Sequence, residues 1–564
     1  MLYKKFPIGL SDFQKLVEGD YLFADKTLMI KEIMDDSSTV VVITRPRRFG
    51  KTLNLSMLYY FFGQNHSDHK NLFEGLNISE DAEFCKEHQQ QYPVIFISFK
   101  DIKETNYKHA YAGIKELISA LYGEHRYLLE GDLLGEDEKN KFTALLNEEA
   151  NLTHVKTAIQ KLSSYMRKKF KKSPIILIDE YDTPIQEAYL HNYYDKMIGL
   201  MRGIFGKTLK DNKNLDKAVV TGITRIAQES LFSGLNNVTV YSLLQEEYGQ
   251  YFGLTEEEVL KLLAQSKQTA SIEKIKEWYN GYVVGQYTLY NPWSIINCLD
   301  NNKELQPYWV NTASNGLIAQ LLSEAKPKVK QQLEELLQGN IIDQPISENL
   351  VFADIKTSPE ALWSLLLYAG YLKVLSSEFR DYALMAKLAI PNKEVGFVYD
   401  RIVAGWFSRA ISLNSYDKFV KSLADGDIDQ FKNYLSEYII QTGSYFEFNS
   451  KTSEQIFHVF ILGLVVGLRD YYTIHSNQES GLGRFDVIFI PKDKNKNGIL
   501  LEFKTSASIE LLLERAQEAL EQIKDRKYIE VFKQHGVGAV LAIGLAFFGK
   551  QVELVHETIS VCEN

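Results

Sequence analysis

The feature that most constrains this chain is a strand that leads through a short loop directly into a helix. Thr39-Val-Val-Val-Ile-Thr44 is a continuous run of β-branched residues, typical of a strand buried on both faces of a parallel sheet. The loop Arg45-Pro-Arg-Arg-Phe-Gly-Lys-Thr52 follows, and the apolar stretch Leu53–Phe62 predicts a helix after it. Free backbone N–H groups and the positive end of the helix dipole meet at such a loop, so this order predicts a phosphate-binding site.

The loop also carries the side chains that nucleotide-binding loops use. We expect Lys51 to reach the β- and γ-phosphates of ATP and the Thr52 hydroxyl to ligate Mg²⁺. The first glycine of the general pattern G-x-x-x-x-G-K-[ST] falls at Arg45, so a plain strand–helix turn that contains Gly-Lys-Thr is the alternative. The loop residues expected to contact the nucleotide are Arg47, Arg48, Phe49, Gly50, Lys51 and Thr52.

A second acidic motif supports the nucleotide interpretation. Ile175-Ile-Leu-Ile-Asp-Glu180 is an apolar strand that ends in two carboxylates. In ATPases with phosphate-binding loops, an Asp at a strand end holds Mg²⁺ and an acidic or polar residue orients the attacking water. We therefore expect Asp179 to hold the metal ion and Glu180 to polarise water, while Asp182 caps the following helix.

A further strand, Val219-Val-Thr-Gly222, is followed by Ile-Thr-Arg225. In ATPases of this kind a polar residue from such a strand end lies near the γ-phosphate, so Thr221 or Thr224 is a candidate. Arg225 is a candidate for contact with phosphate or with a neighbouring subunit. The alternative is an ordinary strand end with a structural arginine.

The order of elements predicts an α/β protein with three domains. Strands at Tyr92–Phe99, Pro174–Ile178 and Ala218–Gly222 are separated by helical stretches, which is typical of a parallel sheet. We expect an ATPase domain at residues 1–254 and a mainly helical lid or winged subdomain at 255–430. Strands and helices alternate again at 431–564, which indicates a smaller α/β domain.

This last domain has a candidate metal site of its own. Asp486 begins a strand, and the next strand ends Leu501-Glu-Phe-Lys504. Alternation along a strand places Glu502 and Lys504 on one face, and a hairpin brings Asp486 beside them. The two carboxylates suit Mg²⁺ or Mn²⁺, and Lys504 is placed to orient water or stabilise charge on a phosphodiester. The alternative is an intact fold with structural charges that cleaves nothing.

Several motifs together resemble the bacterial AAA-like ATPase family whose members often carry a C-terminal PD-(D/E)XK nuclease domain of restriction-endonuclease-like fold. The resemblance covers nearly the whole chain, and in that family the loop reads R-P-R-R-F-G-K-[ST]. It implies that Glu454 joins the metal site from a helix and that Gln522 is the helix glutamine of several such nucleases. The motifs that carry it include Phe23-Ala-Asp-Lys-Thr27, Arg45–Thr52, Leu177-Ile-Asp-Glu-Tyr-Asp182, Thr221-Gly-Ile-Thr-Arg225, Trp278-Tyr-Asn-Gly-Tyr282, Tyr290-Asn-Pro-Trp-Ser294 and Tyr308-Trp-Val-Asn-Thr312.

Charge and composition limit the partners. The formal net charge is −10, so any surface that binds nucleic acid must be local. The N-terminus lacks the apolar core of a signal peptide, and three widely separated cysteines indicate neither disulfides nor zinc. We expect a cytoplasmic protein that does not bind membranes.

Two functions fit this sequence. In the first, ATP with Mg²⁺ drives or gates a metal-dependent nuclease, which uses Mg²⁺ or Mn²⁺ and acts on DNA more than RNA. In the second, the ATPase is a signalling switch that senses a ligand or assembles into homo-oligomers. Its nuclease-like domain then only binds nucleic acid or a partner.

Overall fold

A computed structural model gives the fold of residues 5–64, 69–210, 212–224, 237–266, 271–300, 304–309, 315–349, 352–355, 358–408, 413–442, 463–478, 485–525, 528–549 and 551–561. Internal contacts divide the chain into two compact units. The first is Met1–Leu321 with Asp343–Val395, and the second is Leu322–Ile342 with Gly396–Asn564. The division into three domains made from the sequence stays a prediction.

The first unit is built on a five-stranded parallel sheet with the order β2-β3-β4-β1-β5. The fully buried strands β1, β3 and β4 form its centre, as their apolar runs predict. β5 is a four-residue strand that is only half-buried, and it was not predicted from the sequence. The strands are β1 (Val40–Thr44), β2 (Val94–Ser98), β3 (Ile175–Asp179), β4 (Lys217–Gly222) and β5 (Val238–Tyr241).

Strand order decides which motifs meet. β4 lies between β3 and β1, although it follows both in sequence. Because the carboxyl ends of parallel strands share one edge of the sheet, the loop after β1, the two carboxylates that end β3 and the threonines of β4 come together there. The α/β fold predicted for this region is confirmed.

Helices connect these strands and continue beyond them. Leu152–Phe170 has the predicted bounds, whereas the helix after the loop begins two residues early, at Lys51. The helices of this region are α1 (Phe13–Glu18), α2 (Met29–Asp35), α3 (Lys51–Phe62), α4 (Ala82–His88), α5 (Tyr107–Glu124), α6 (Glu136–Leu146), α7 (Leu152–Phe170), α8 (Thr183–Leu190) and α9 (Tyr194–Phe205).

The middle of the chain is mainly helical, as predicted, and it also holds strands that the sequence analysis did not identify. A short hairpin joins β6 (Tyr282–Val284) to β7 (Tyr287–Leu289), and a three-stranded sheet has the order β8-β10-β9. β9 is exposed along most of its length, so it lacks the apolar alternation that marks a half-buried strand. The remaining elements are α10 (Glu256–Gln265), α11 (Ile272–Tyr279), α12 (Pro292–Asp300), α13 (Asn315–Ser323), α14 (Pro327–Leu337), β8 (Ile342–Ile346), α15 (Pro359–Tyr368), β9 (Lys373–Arg380), β10 (Ala383–Ala389), α16 (Lys393–Ser408), α17 (Leu413–Ala424) and α18 (Ile428–Thr442).

A second, mixed sheet has the order β11-β12-β13-β14-β15. Only the β13–β14 pair is parallel among these neighbours, and its connection contains two helices, α19 and α20. The predicted small α/β unit is confirmed, with two edge strands, β11 and β15, that the sequence analysis missed. The elements are β11 (Tyr472–Gln478), β12 (Phe485–Pro491), β13 (Gly498–Thr505), α19 (Leu512–Asp525), α20 (Tyr528–Gln534), β14 (Ala539–Phe548) and β15 (Gln551–Ser560).

Gly544 explains how closely α19 lies on this sheet. A Cβ atom at Gly544 would lie 2.2 Å from the backbone oxygen of Ala516 and 2.6 Å from the nitrogen of Leu520. Only glycine permits this approach.

None of the helices in the described ranges combines the length and the apolar character that a membrane crossing needs.

Candidate functional site

The loop between β1 and α3 contains two residues in the left-handed backbone conformation. Gly50 is the N-cap of α3 and has a φ of 82°, a left-handed conformation that favours glycine. Arg48 also has a positive φ, 68°, which is uncommon for a residue with a Cβ atom. The loop therefore presents the N-terminus of a twelve-residue helix at the carboxyl edge of the sheet.

Arg45, which stands where the general pattern has glycine, is a buried side chain that holds the loop by hydrogen bonds. Its side chain is fully buried, and its guanidinium donates to the carbonyl oxygens of Thr44 at 2.8 Å, Tyr241 at 2.9 Å, Ser242 at 2.9 Å and Glu247 at 3.2 Å. Burial lowers the pKa of Arg45 to about 9, so it stays charged at neutral pH. The departure from the pattern thus fastens the start of the loop to the chain after β5.

Lys51 lies inside the loop rather than on its surface. Its ammonium group donates to the backbone oxygens of Arg45 at 2.9 Å and Pro46 at 2.8 Å. Burial lowers the pKa of Lys51, and the nearby carboxylates of Glu180 and Asp179 act in the opposite direction. The ammonium is thus held within the loop that would surround the phosphates.

Asp179 connects the loop to two neighbouring strands. Its carboxylate accepts hydrogen bonds from the hydroxyls of Thr52 and Thr221, each at 2.8 Å, and from Ser98 of β2 at 3.3 Å. Burial raises the pKa of Asp179, while the bond from Thr52 lowers it. Thr52 and Asp179 are the predicted Mg²⁺-binding pair, and they lie in direct contact.

Glu180 follows in a strained backbone conformation with a φ of 50°. The hydroxyl of Thr183 donates to its carboxylate at 3.1 Å. A side chain at such a φ costs free energy of order 1–3 kcal/mol and persists where the surrounding structure requires it. Thr183, which the sequence analysis did not single out, is placed to orient the carboxylate.

The expectation that Asp182 caps α8 is wrong. It occupies the N-cap position, but its side chain makes no capping bond. Its carboxylate oxygen Oδ2 instead accepts from the backbone N–H groups of Ile223 and Thr224 and from the Thr224 hydroxyl, each at 3.0 Å. The Tyr181 hydroxyl donates to the carbonyl oxygen of Thr224 at 2.6 Å. Gln186 of α8 also donates to Oδ2, at 2.8 Å, so Tyr181 and Asp182 hold the end of β4 against this helix.

The aromatic motifs of the middle region pack against the loop. The Arg48 guanidinium lies 4.2 Å from the centre of the Trp293 ring, a cation–π distance. The buried ring of Phe49 packs edge-on against Tyr282, with 4.9 Å between the ring centroids. Arg47 donates weakly to the side chain of Gln186 at 3.4 Å. The aromatic side chains of these motifs therefore support the loop.

In the C-terminal sheet, Asp486 and Glu502 occupy directly opposite positions on antiparallel strands. Glu502 is fully buried, and neither of its carboxylate oxygens accepts a hydrogen bond within the described part of the chain. The side-chain oxygen of Gln522 is also buried without a donor there. Since a buried carboxylate normally requires donors or a cation, the Glu502 carboxylate has the chemistry of an oxygen ligand to a divalent metal ion.

Lys504 contacts an acidic residue that the sequence analysis did not single out. Its ammonium lies 3.1 Å from the carboxylate of Glu518 on α19, and Arg515 donates to the same oxygen at 2.6 Å. The pKa of Glu518 is lowered, chiefly by Arg515 and then by Lys504. Only the packing of α19 on the sheet could reveal this contact.

Three of the predicted positions lie wholly or partly outside the described residues. These are Arg225, Glu454 and the side chain of Asp486. Within the described part, no group of three or more His, Cys, Asp or Glu side chains is arranged to hold a metal ion. The complete metal site at Glu502 therefore stays a prediction.

Comparisons with known proteins cover both units. Residues 7–232 match a family model described as predicted AAA-ATPase, and residues 452–557 match one described as PD-(D/E)XK nuclease superfamily. The chain is 26% identical over 563 residues to an uncharacterized protein in the vnfD 5'region of Azotobacter chroococcum mcd 1, with 95% of each chain covered.

Proposed function

We propose, from the premise that the chain joins an AAA-ATPase-like domain to a domain of the PD-(D/E)XK nuclease superfamily, that it is an ATP-hydrolysing protein that controls a metal-dependent nuclease. The observation that carries the nucleotide half is the contact of Thr52 with Asp179 beneath the loop that contains Lys51. The nuclease half rests on the buried carboxylate of Glu502, which lies opposite Asp486 and has no hydrogen-bond donor among the described residues.

In the ATPase half, the loop would hold the triphosphate of ATP. Lys51 would exchange its bonds to the loop carbonyls for bonds to the β- and γ-phosphates. Mg²⁺, when bound through Thr52 and Asp179, supplies neutralisation of the phosphate charge. Glu180 would take a hydrogen bond from the attacking water, and Thr183 would keep its carboxylate in place. Thr221 and Arg225 stay candidates for sensing the γ-phosphate.

Two variants test the ATPase half. Lys51→Ala should weaken ATP binding at least tenfold, because it removes the ammonium that faces the phosphates, whereas Lys161→Ala, an exposed lysine on α7, should not. Glu180→Gln should bind ATP normally and hydrolyse it at least a hundredfold more slowly. Titration calorimetry and phosphate release measure these effects, and equal turnover in Glu180→Gln and the wild type would exclude the assigned role.

In the nuclease half, Glu502 and Asp486, with Glu454 as a further candidate, would hold Mg²⁺ or Mn²⁺. The metal ion, when bound, acidifies a water molecule and stabilises charge on the phosphodiester. Lys504 would stabilise the negative charge as the water oxygen bonds to phosphorus and the bond to the leaving oxygen breaks. Gln522 would orient the attacked group or the water from α19.

The nuclease half is tested with labelled single- and double-stranded DNA and RNA in Mg²⁺ or Mn²⁺. Cleavage should be lost in Glu502→Ala and Asp486→Asn and slowed in Lys504→Ala, while Glu514→Ala, an exposed position on the same helix as Gln522, should cleave normally. Binding without cleavage in the wild type would instead favour the switch whose nuclease-like domain only binds.

Control by nucleotide is the third element of the proposal. Cleavage is compared without nucleotide, with ATP, with a non-hydrolysable ATP analogue and in Glu180→Gln. If ATP binding gates the nuclease, the analogue and Glu180→Gln with ATP should give the same change in rate as ATP. If hydrolysis gates the nuclease, neither the analogue nor Glu180→Gln with ATP should change the cleavage rate as ATP does. A cleavage rate that is independent of nucleotide would show that the ATPase does not control the nuclease.

A further inference from the structure

Two cations share one carboxylate oxygen beside Glu502. Glu518 Oε2 lies 3.1 Å from the Lys504 ammonium and 2.6 Å from the Arg515 guanidinium. Lys504 is two residues beyond Glu502 on β13, so their Cα atoms are about 7 Å apart. The cluster of Lys504, Arg515 and Glu518 thus carries a net charge of +1 next to the predicted metal site.

The arrangement is that of an anion held between a lysine and an arginine. A non-bridging phosphate oxygen has the same acceptor chemistry as a carboxylate oxygen, and arginine binds both in the same forked geometry. The side chains of Lys504, Arg515 and Glu518 are 20%, 42% and 35% exposed. A ligand from solvent can therefore reach both cations, and Glu518 can rotate away without a change in the backbone.

We propose that Lys504 and Arg515 form the binding site for a backbone phosphate of the nucleic acid, and that Glu518 occupies this site until the phosphate displaces it. Arg515 is then a substrate-binding residue, and Glu518 is an internal competitor that weakens binding. This inference rests on the proposed function only in that the domain binds nucleic acid. It does not require ATP hydrolysis.

An ordinary surface ion pair would behave differently. The i, i+3 spacing of Arg515 and Glu518 on α19 would then contribute only to helix stability, and loss of either partner would leave nucleic-acid binding unchanged. A competitor gives opposite effects instead. Removing the Glu518 charge strengthens binding, because both cations become available, and removing Arg515 weakens it.

The test uses the full-length protein with Glu502→Gln in every sample, in EDTA, so that binding is measured without cleavage. Fluorescence anisotropy of labelled single-stranded DNA, double-stranded DNA and RNA gives Kd at several NaCl concentrations. Glu518→Gln should lower Kd three- to tenfold. Arg515→Ala should raise Kd about tenfold and make the slope of log Kd against log salt shallower by about one. Arg515→Lys should restore the slope.

Glu514→Gln is the matched control, because it removes one exposed carboxylate from the same helix. If Glu518→Gln and Glu514→Gln tighten binding equally, general charge explains the effect and the competitor role is overturned. If Arg515→Ala binds like its parent, the phosphate site is overturned while the nuclease proposal stands. If the parent binds none of the three nucleic acids, the phosphate site is overturned, and the cleavage assay on the wild type in Mg²⁺ or Mn²⁺ decides the nuclease proposal separately.

Discussion

Because the Glu502 carboxylate is buried, its charge and any metal ion bound to it should both change the free energy of unfolding. The carboxylate is fully buried and has no hydrogen-bond donor among the described residues. Glu502→Gln removes the charge and keeps the shape, so without metal the variant should be more stable than the wild type by roughly 1–4 kcal/mol. With metal at 100 times its Kd, the wild type should gain about 2.7 kcal/mol and the variant almost nothing.

Thermal unfolding in EDTA and in a series of Mn²⁺ concentrations measures both effects. Hydrogen exchange on the same samples assigns the stabilised transition to the sheet that contains β13. Glu514→Gln again serves as the control, since it removes an exposed carboxylate and should respond to Mn²⁺ like the wild type. An equal Mn²⁺ response in Glu502→Gln would refute the metal assignment. A large loss of stability of that variant in EDTA would show that Glu502 is a structural acceptor.

Three further predictions concern the first unit. Arg45→Met removes the donors to four carbonyl groups, so it should destabilise the protein by about 3 kcal/mol or more and weaken ATP binding, measured by urea unfolding and calorimetry. Asp182→Ala leaves the N–H groups at the end of β4 without an acceptor, so in a steady-state assay it should lower ATPase kcat more than it raises KM. Asp182→Asn keeps an acceptor and should lose less of the kcat. Burial raises the pKa of Glu394 from 4.5 to about 7, so the folded state binds more protons between these pH values and stability should fall by roughly 3 kcal/mol as pH rises through that window. Glu394→Gln should remove this part of the pH dependence in urea titrations at pH 5 and 7.5, and an unchanged slope would contradict it.

Much of the fold could be predicted because its signals are local. The β-branched runs of β1 and β3 and the apolar periodicity of α7 depend only on neighbouring residues. The strands that were missed, such as β5 and β9, are edge or exposed strands whose stability comes from pairing rather than from an apolar pattern.

The sequence by itself determined the chemistry that each site can offer: a loop with Lys51 and Thr52, the carboxylates Asp179 and Glu180, and the strand residues Glu502 and Lys504. Only the tertiary structure decided how polar side chains beside these residues are used. Arg45 finds three of its four acceptors some 200 residues away, Asp182 finds donors at the end of β4, and Glu518 meets Lys504 across the packing of a helix on a sheet. A charged side chain takes its role from the donors and acceptors that surround it after folding, and those partners come from segments that no local pattern connects.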